Sequence, residues 1–289
     1  MEHDHKKMDR RTALKASSLV FMGLSFPSLL LANSPSLQFG DLTEMGSIPP
    51  HFPNIDPEIV GEVVGKSHFN LERVKELVDP RPELARSVLE WRFGDFESAI
   101  GAASHVGRRD IVFYLLEKGA RPTLFTFAML GAYEVVKAAV ESTPGIQRTS
   151  GPHGISLLDH AYAGERMQDE MSTAERDNLK RTKEYLETLG DASGPTFMEV
   201  SQEEQKKYLG DYQYGSEKTE GFSIQLNMRE MMSLGPIGGF GGALYRIGDQ
   251  TFTYNGAPSV KVTFDVQNDV VQSLRLTEPG LSVVARKIS

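Results

Sequence analysis

The chain has 289 residues, of which 39% are hydrophobic and 24% charged, and its formal net charge at neutral pH is -8. This composition is typical of a folded globular protein, and the length suits about two domains. The chain has no cysteine, which excludes disulfides, iron–sulfur clusters, thiolate zinc sites and a cysteine nucleophile. The acidic balance argues against a nucleic-acid partner, because nonspecific binding to nucleic acid needs a basic face.

Residues 1–32 have the pattern of an export signal. A charged segment that ends in Arg10-Arg11-Thr12-Ala13-Leu14-Lys15 precedes an apolar run over residues 16–32. This order, with the small residue Ala32 at the exit, is typical of signal peptides, and the run is shorter than the roughly 20 residues that span a membrane. An N-terminal anchor helix is the alternative interpretation.

The arginine pair, followed by Leu14 and Lys15, resembles the twin-arginine export signal. The resemblance implies a protein that folds before export and is periplasmic or otherwise exported, with the general secretory route as the alternative. Cleavage after Ala32 would leave no stable membrane anchor. We therefore expect a mature chain that begins near residue 33.

Two segments with different periodicities follow the signal. Residues 33–58 contain five prolines and few periodic apolar positions, which predicts a linker. From residue 59 to residue 192 the apolar positions recur at i, i+3 and i+4, which predicts amphipathic helices. The clearest of these helices are predicted at residues 73–78, 110–116, 134–140 and 181–186.

Residues 98–120 resemble one ankyrin repeat. Residues 98–103 match the first helix of that repeat, Gly107 allows the tight turn, and Gly119 caps the second helix. Residues 154–161 stand where the family has G-x-T-P-L-H-x-A. The resemblance implies an α-helical ankyrin-like solenoid of about three and a half degenerate repeats, and a generic helical bundle or another solenoid are the alternatives.

The last part of the chain, residues 200–289, predicts β structure after a linker at residues 193–199. Short runs of alternating apolar and polar residues are separated by Gly, Asn, Pro and Asp, which predicts a small antiparallel β-barrel or sandwich. Residues 205–212 and 222–226 resemble a lipocalin-like β-domain of the kind appended to bacterial β-lactamase-like hydrolases. That domain is accessory in those hydrolases, so the resemblance implies no catalytic residue. The predicted protein is therefore multidomain, with a helical solenoid before a β-domain.

Known catalytic and ligand-binding motifs are missing from the sequence after the signal. It has no G-x-S-x-G or S-x-x-K motif, and the glycine-rich segment 235–242 lacks the Lys-Ser/Thr ending of a phosphate-binding loop. His153, Asp159, His160 and Glu165 are close in sequence, but their spacing matches no known metal motif. We therefore expect no catalytic residue, no cofactor and no metal, and hence a protein that is not an enzyme.

The function expected from these features is that of an exported scaffold or adaptor protein. Acidic residues outnumber basic ones in residues 33–198, which favours a protein partner with basic patches. Trp and Arg are favoured at interface hot spots, although a Trp between helix pairs also fills core space. The candidate contact residues are Trp91, Arg92, His105 and Arg121.

Two alternative functions follow from the predicted β-domain and the export signal. The first is carriage of a small apolar ligand inside the β-domain, and the second is a role as accessory subunit of an exported enzyme. An internal cavity would favour the carrier, and a filled barrel would favour partner binding. The candidate lining residues are Tyr212, Phe222, Phe240, Tyr245 and Tyr254.

Overall fold

The computed structural model describes residues 48–227, 229–255 and 257–289. The predicted export signal and most of the predicted linker lie outside the described residues. Residues 50–289 form one compact unit, in which helices come first and a β-barrel comes last.

The described residues contain nine α-helices, and none of them is long and apolar enough to cross a membrane. They are α1 (Pro57–Lys66), α2 (Leu71–Val78), α3 (Ala99–His105), α4 (Arg109–Glu117), α5 (Leu124–Leu130), α6 (Tyr133–Ser142), α7 (Leu157–Ala163), α8 (Thr173–Leu189) and α9 (Gln202–Tyr208). Short 3-10 helices lie at Pro82–Arg86, Ile146–Arg148, Pro152–Gly154 and Gly164–Glu170.

The first eight helices pack as four consecutive pairs, α1 with α2, α3 with α4, α5 with α6, and α7 with α8. The first helices of successive pairs also contact one another. All four segments that the apolar periodicity predicts as amphipathic helices lie in the second helices of these pairs, because each must bury one apolar stripe against its neighbours. The helices are therefore confirmed, whereas an ankyrin solenoid is not shown.

Buried small side chains explain how the first helices approach one another. Gly101, Ala102 and Ala103 of α3 are buried. Ser98 caps the helix, since its side chain accepts a hydrogen bond from the backbone N–H of Gly101 at 3.1 Å. Just before α3, the short strands β1 (Val88–Glu90) and β2 (Phe96–Ser98) form an antiparallel hairpin that the sequence did not predict.

The C-terminal region is a closed antiparallel barrel of eight strands, which confirms the β-barrel and not the sandwich. The strands follow chain order around the barrel, and the last one closes on the first. They are β3 (Gly210–Gln213), β4 (Gly221–Leu226), β5 (Met232–Pro236), β6 (Gly242–Arg246), β7 (Thr251–Tyr254), β8 (Ala257–Gln267), β9 (Val270–Glu278) and β10 (Leu281–Lys287).

Aromatic side chains pack inside the barrel. Tyr208 contacts Phe252 and Phe264, with ring centroids 5.5 and 4.6 Å apart, and Tyr212 also lies against Phe264. These rings belong to one buried cluster with Tyr254. Side chains alternate between buried and exposed along β8, as expected for a strand with one face inside a barrel.

The five residues expected to line a ligand cavity have different surroundings. Tyr212 and Tyr254 lie in the packed interior, and Phe222 packs against it. Tyr245 is half-buried and packs against Phe197 outside that cluster. Phe240 is 95% exposed and therefore lines no interior.

Candidate metal centre

Four side chains with metal-ligating atoms meet beside the β1–β2 hairpin. His68 lies in the turn between α1 and α2, and His105 is the last residue of α3. Glu97 is the middle residue of β2, and His153 lies in the 3-10 turn Pro152–Gly154. One ligand atom from each of the four residues lies within 4.8 Å of the others. We call these four residues the His3Glu cluster.

The carboxylate of Glu97 is the centre of the cluster and has no exposed surface. Its Oε1 lies 3.0 Å from Nε2 of His105 and 3.3 Å from Nε2 of His153. Its Oε2 lies 3.5 Å from Nε2 of His68 and accepts a hydrogen bond from the indole of Trp91 at 2.7 Å. Within the described residues, however, Oε1 accepts no well-oriented hydrogen bond.

The imidazole rings of His68 and His105 face each other through their Nε2 atoms. Nε2 of His105 lies 3.1 Å from Nε2 of His68. If both nitrogens carried lone pairs they would repel, so a proton or a cation must lie between them. The three Nε2 atoms and the carboxylate therefore converge on one small region that suits a positive charge.

The other ring nitrogens of His68 and His153 are held by oxygen acceptors. Nδ1 of His68 lies 3.2 and 3.0 Å from the carbonyl oxygens of Val64 and Gly65. Nδ1 of His153 lies 2.7 Å from Oδ2 of Asp95. Because a carbonyl or carboxylate oxygen can only accept, each Nδ1 donates, and each Nε2 is left to bind an ion.

Burial and charge act in opposite directions on the ionisable groups of the cluster. Burial alone would raise the pKa of Glu97, but the neighbouring His105 and His153 hold it well below its usual value. Burial lowers the pKa of His105 more than Glu97 raises it. Burial alone would lower the pKa of His153, but Asp95 and Glu97 raise it to about 9. Without a metal ion, His153 therefore carries the positive charge of the cluster.

The shortest separations between these atoms are close to those in a site for one ion. Zn²⁺ lies about 2.0–2.2 Å from imidazole nitrogens and carboxylate oxygens, so tetrahedral ligand atoms are roughly 3.3–3.6 Å apart. The four contacts described above measure 3.0, 3.1, 3.3 and 3.5 Å. These contacts involve both oxygens of Glu97, and one ligand atom from each residue lies within 4.8 Å of the others, so one ion would draw the more distant side chains inward.

Of the four residues expected to contact a partner, the structure brings two to the cluster. His105 is part of it, and Trp91 donates to Glu97. Arg92 instead donates to the backbone oxygen of Phe240 at 3.1 Å, and Arg121 is exposed. The four residues that are close in sequence, His153, Asp159, His160 and Glu165, also have different surroundings in the structure.

Only His153 of that sequence cluster joins the His3Glu cluster. His160 is fully buried, and its Nδ1 lies 2.8 Å from the backbone oxygen of Ser156. Asp159 accepts a hydrogen bond from the Ser156 hydroxyl, and Glu165 pairs with Lys183. Closeness in sequence was therefore a poor guide to closeness in space.

The sequence search predicted none of the four residues as a metal ligand, because they are far apart along the chain. His105 was predicted only as a partner contact, and His153 was considered only with its sequence neighbours. One signal was present: His105 is the last residue of the first helix of its pair, and His68 lies just after the first helix of its own pair. Helices α1 and α3 pack against each other, so these two ends meet.

Comparison with known proteins found no matching family model, no similar curated protein and no similar solved structure.

Proposed function

We propose that this protein binds one divalent transition-metal ion through His68, Glu97, His105 and His153. The observation that carries the proposal is the buried Oε1 of Glu97, which has two imidazole nitrogens within 3.3 Å but no well-oriented hydrogen bond. A buried carboxylate needs a positive partner, and without a metal ion the protonated His153 is that partner. A cation shared with the three Nε2 atoms would take that place and use the nitrogens as ligands.

The donor set favours particular metals. Three imidazoles and one carboxylate suit Zn²⁺, and also iron, nickel and copper ions. Ca²⁺ and Mg²⁺ prefer sites made of oxygen ligands, so they fit this cluster poorly. We choose Zn²⁺ and Co²⁺ as probes, the first for affinity and the second for its visible spectrum.

Solvent access to the cluster is uneven, which bears on what the ion could do. The side chains of His68 and His153 are 21% and 22% exposed, whereas that of Glu97 is fully buried. The imidazoles of His68 and His153 are therefore the side of the cluster nearest to solvent. Four protein ligands fill a tetrahedral site, so the ion would activate water or polarise a small substrate by taking it as a fifth ligand. We thus propose a metal-dependent reactive centre, in place of the non-enzymatic protein expected from the motif search.

The ankyrin-like and lipocalin-like assignments, and the expected partner, ligand and export, remain proposals. The packing of α1 on α3, α3 on α5 and α5 on α7 supports an ankyrin-type solenoid. The eight-stranded barrel supports a lipocalin-like β-domain. Protein recognition, ligand carriage and export stay predictions, with Arg121 as an exposed contact candidate.

Metal content after reconstitution tests the proposed function. The full chain is stripped with a chelator, exposed to Zn²⁺, desalted and analysed by elemental mass spectrometry. We expect about one ion per chain, and none in Glu97→Gln or His105→Gln. The matched control, His51→Gln, removes a histidine that lies before α1 and outside the cluster. Equal zinc content in the wild type and Glu97→Gln, or none in either, would overturn the proposal.

A further inference from the structure

We infer that the barrel takes part in the metal centre: Asn255 holds Asp95, and Asp95 positions the ligand His153. This inference rests on the proposed metal site. Asp95 and Asn255 are positioning residues in this scheme, since neither belongs to the His3Glu cluster.

Asp95 contacts His153 at two points. Its Oδ1 accepts a hydrogen bond from the backbone N–H of His153 at 2.9 Å, and its Oδ2 lies 2.7 Å from the ring Nδ1. The first contact fixes the backbone position, and the second fixes the ring rotation and the tautomer. One carboxylate thus sets where Nε2 of His153 points.

The backbone at His153 shows why such a clamp is needed. His153 has a φ of +60°, a left-handed conformation that residues with a Cβ rarely adopt. The turn around it is closed by backbone hydrogen bonds from Gly151 N–H to the Ile155 oxygen at 2.8 Å, from Ile155 N–H to the Pro152 oxygen at 3.1 Å and from Gly154 N–H to the Gly151 oxygen at 3.2 Å. None of these bonds involves the backbone N–H or the ring of His153. The buried carboxylate of Asp95, only 6% exposed, is the acceptor for both.

Asn255 comes from the barrel, in the connection between β7 and β8. Its own backbone N–H donates to the oxygen of Ala243 at 2.8 Å, which fixes it to the neighbouring strand. Its side-chain amide donates to Oδ2 of Asp95, the same oxygen that faces Nδ1 of His153. Asn255 is 4% exposed, so this hydrogen bond lies in a dry environment where its loss is costly.

Other contacts seat the loop that carries Asp95 on the barrel. Phe93 packs edge-on against Tyr254, with ring centroids 4.9 Å apart. Arg92 donates to the backbone oxygen of Phe240. The loop therefore contacts the barrel at three places. Asn255 is the one whose side chain reaches Asp95 and lies 3.1 Å from Nδ1 of His153.

Cobalt binding separates positioning from a merely structural role. The full chain and its variants are titrated with Co²⁺ against a competing chelator, and visible spectra are recorded. Outer partners of ligating histidines typically contribute 10–100-fold in metal affinity. We expect Asp95→Asn to weaken Co²⁺ binding by about 10–100-fold and Asn255→Leu by about tenfold, each with an altered spectrum. Asn255→Asp puts a second carboxylate beside Asp95 and 3.1 Å from Nδ1 of His153, so it should also alter both the affinity and the spectrum.

The control is Thr253→Val, which removes buried hydrogen bonds to the backbone oxygens of Ala257 and Val260 in the same part of the barrel. It should leave the cobalt affinity and spectrum unchanged. If the wild type binds Co²⁺ and both Asn255 variants match it in affinity and spectrum, the positioning role is wrong and the metal site stands. If the wild type itself takes up no Co²⁺, the metal site fails, and the positioning role fails with it.

Discussion

Nε2 of His105 lies 3.1 Å from Nε2 of His68, although the two residues are 37 positions apart. His105 ends α3, His68 lies in the turn just after α1, and α1 packs on α3. Stacked helix pairs therefore place equivalent ends side by side, as repeat architectures do. Glu97 and His153, from a hairpin and a turn, complete the cluster around this pair.

Metal binding should stabilise the fold, because the four ligands come from four separate elements that unfolding would disperse. An ion that binds only the folded chain contributes about 2.7 kcal/mol at a concentration 100 times its Kd. Urea unfolding with excess Zn²⁺ and with chelator should show a difference of that order. Glu97→Gln should abolish the difference, whereas Glu184→Gln, on the exposed side of α8, should retain it. An equal zinc effect in both variants would contradict the prediction.

The fluorescence of Trp91 should report on the cluster. It is the only tryptophan in the chain, and its indole donates to Glu97 at 2.7 Å. Its ring centroid lies 6.1 Å from those of both His68 and His153. Paramagnetic Cu²⁺ or Co²⁺ should quench this emission and saturate at one equivalent, whereas Zn²⁺ should quench it much less. Saturable quenching that persists in Glu97→Gln would place the ion elsewhere.

The helices and strands could be predicted because their signals are local. Residues 110–116 show apolar spacing that only a helix buries on one face, and the alternation in residues 260–266 suits a half-buried strand. The β1–β2 hairpin escaped prediction because each strand has three residues, too few for a period. That hairpin carries Glu97, so the centre of the site was missed with it.

The metal ligands themselves have no sequence motif, since the stacking of the helix pairs brings them together. His105 was singled out only as a partner contact, and its true neighbour His68 lies one helix pair earlier. The position of His153 depends on Asp95 and on the barrel residue Asn255. Contacts between such distant residues depend on how helices, turns and barrel pack together, and the local periodicity of one sequence does not show this.

Stability towards acid should depend on His160. Burial lowers its pKa from 6.5 to about 4, because the buried ring resists a charge more than the nearby Ser156 carbonyl favours it. Below pH 6.5 this histidine takes up a proton in the unfolded chain, but in the folded chain it does so only near pH 4. The free energy of unfolding therefore decreases as the pH falls from 6.5 to 4. At 1.36 kcal/mol per pKa unit, the loss is about 3 kcal/mol.

His160→Asn should remove this loss, since asparagine keeps a donor in the place of Nδ1, which faces the Ser156 oxygen, and has no titrating ring. Urea unfolding at pH 7 and at pH 4 gives the change in free energy for each chain. The difference between the two pH values should be smaller in His160→Asn than in the wild type, and unchanged in the control His51→Asn. An acid loss equal to that of the wild type would show that other groups account for it.

The metal should accept an outside ligand on its exposed side. His68 and His153 are about one-fifth exposed, whereas Glu97 is fully buried, so we expect a small anion to approach past the two imidazoles. Azide added to the Co²⁺ protein should shift the visible spectrum in a saturable way, because Co²⁺ readily gains a fifth ligand. The Co²⁺ spectrum without azide serves as the reference. A spectrum unaffected by azide would indicate a closed, purely structural ion.

Two glycines with the same backbone conformation should respond differently to alanine. Gly107 and Gly119 have φ values of +72° and +88°, which disfavour a Cβ by about 1–2 kcal/mol. A Cβ on Gly119 would meet no atom within 4 Å, whereas one on Gly107 would overlap the backbone oxygen of Ala163 at the end of α7. Gly107→Ala should therefore lower the free energy of unfolding by about 1–3 kcal/mol more than Gly119→Ala. Equal losses in urea unfolding would mean that α7 moves away from the turn at little cost.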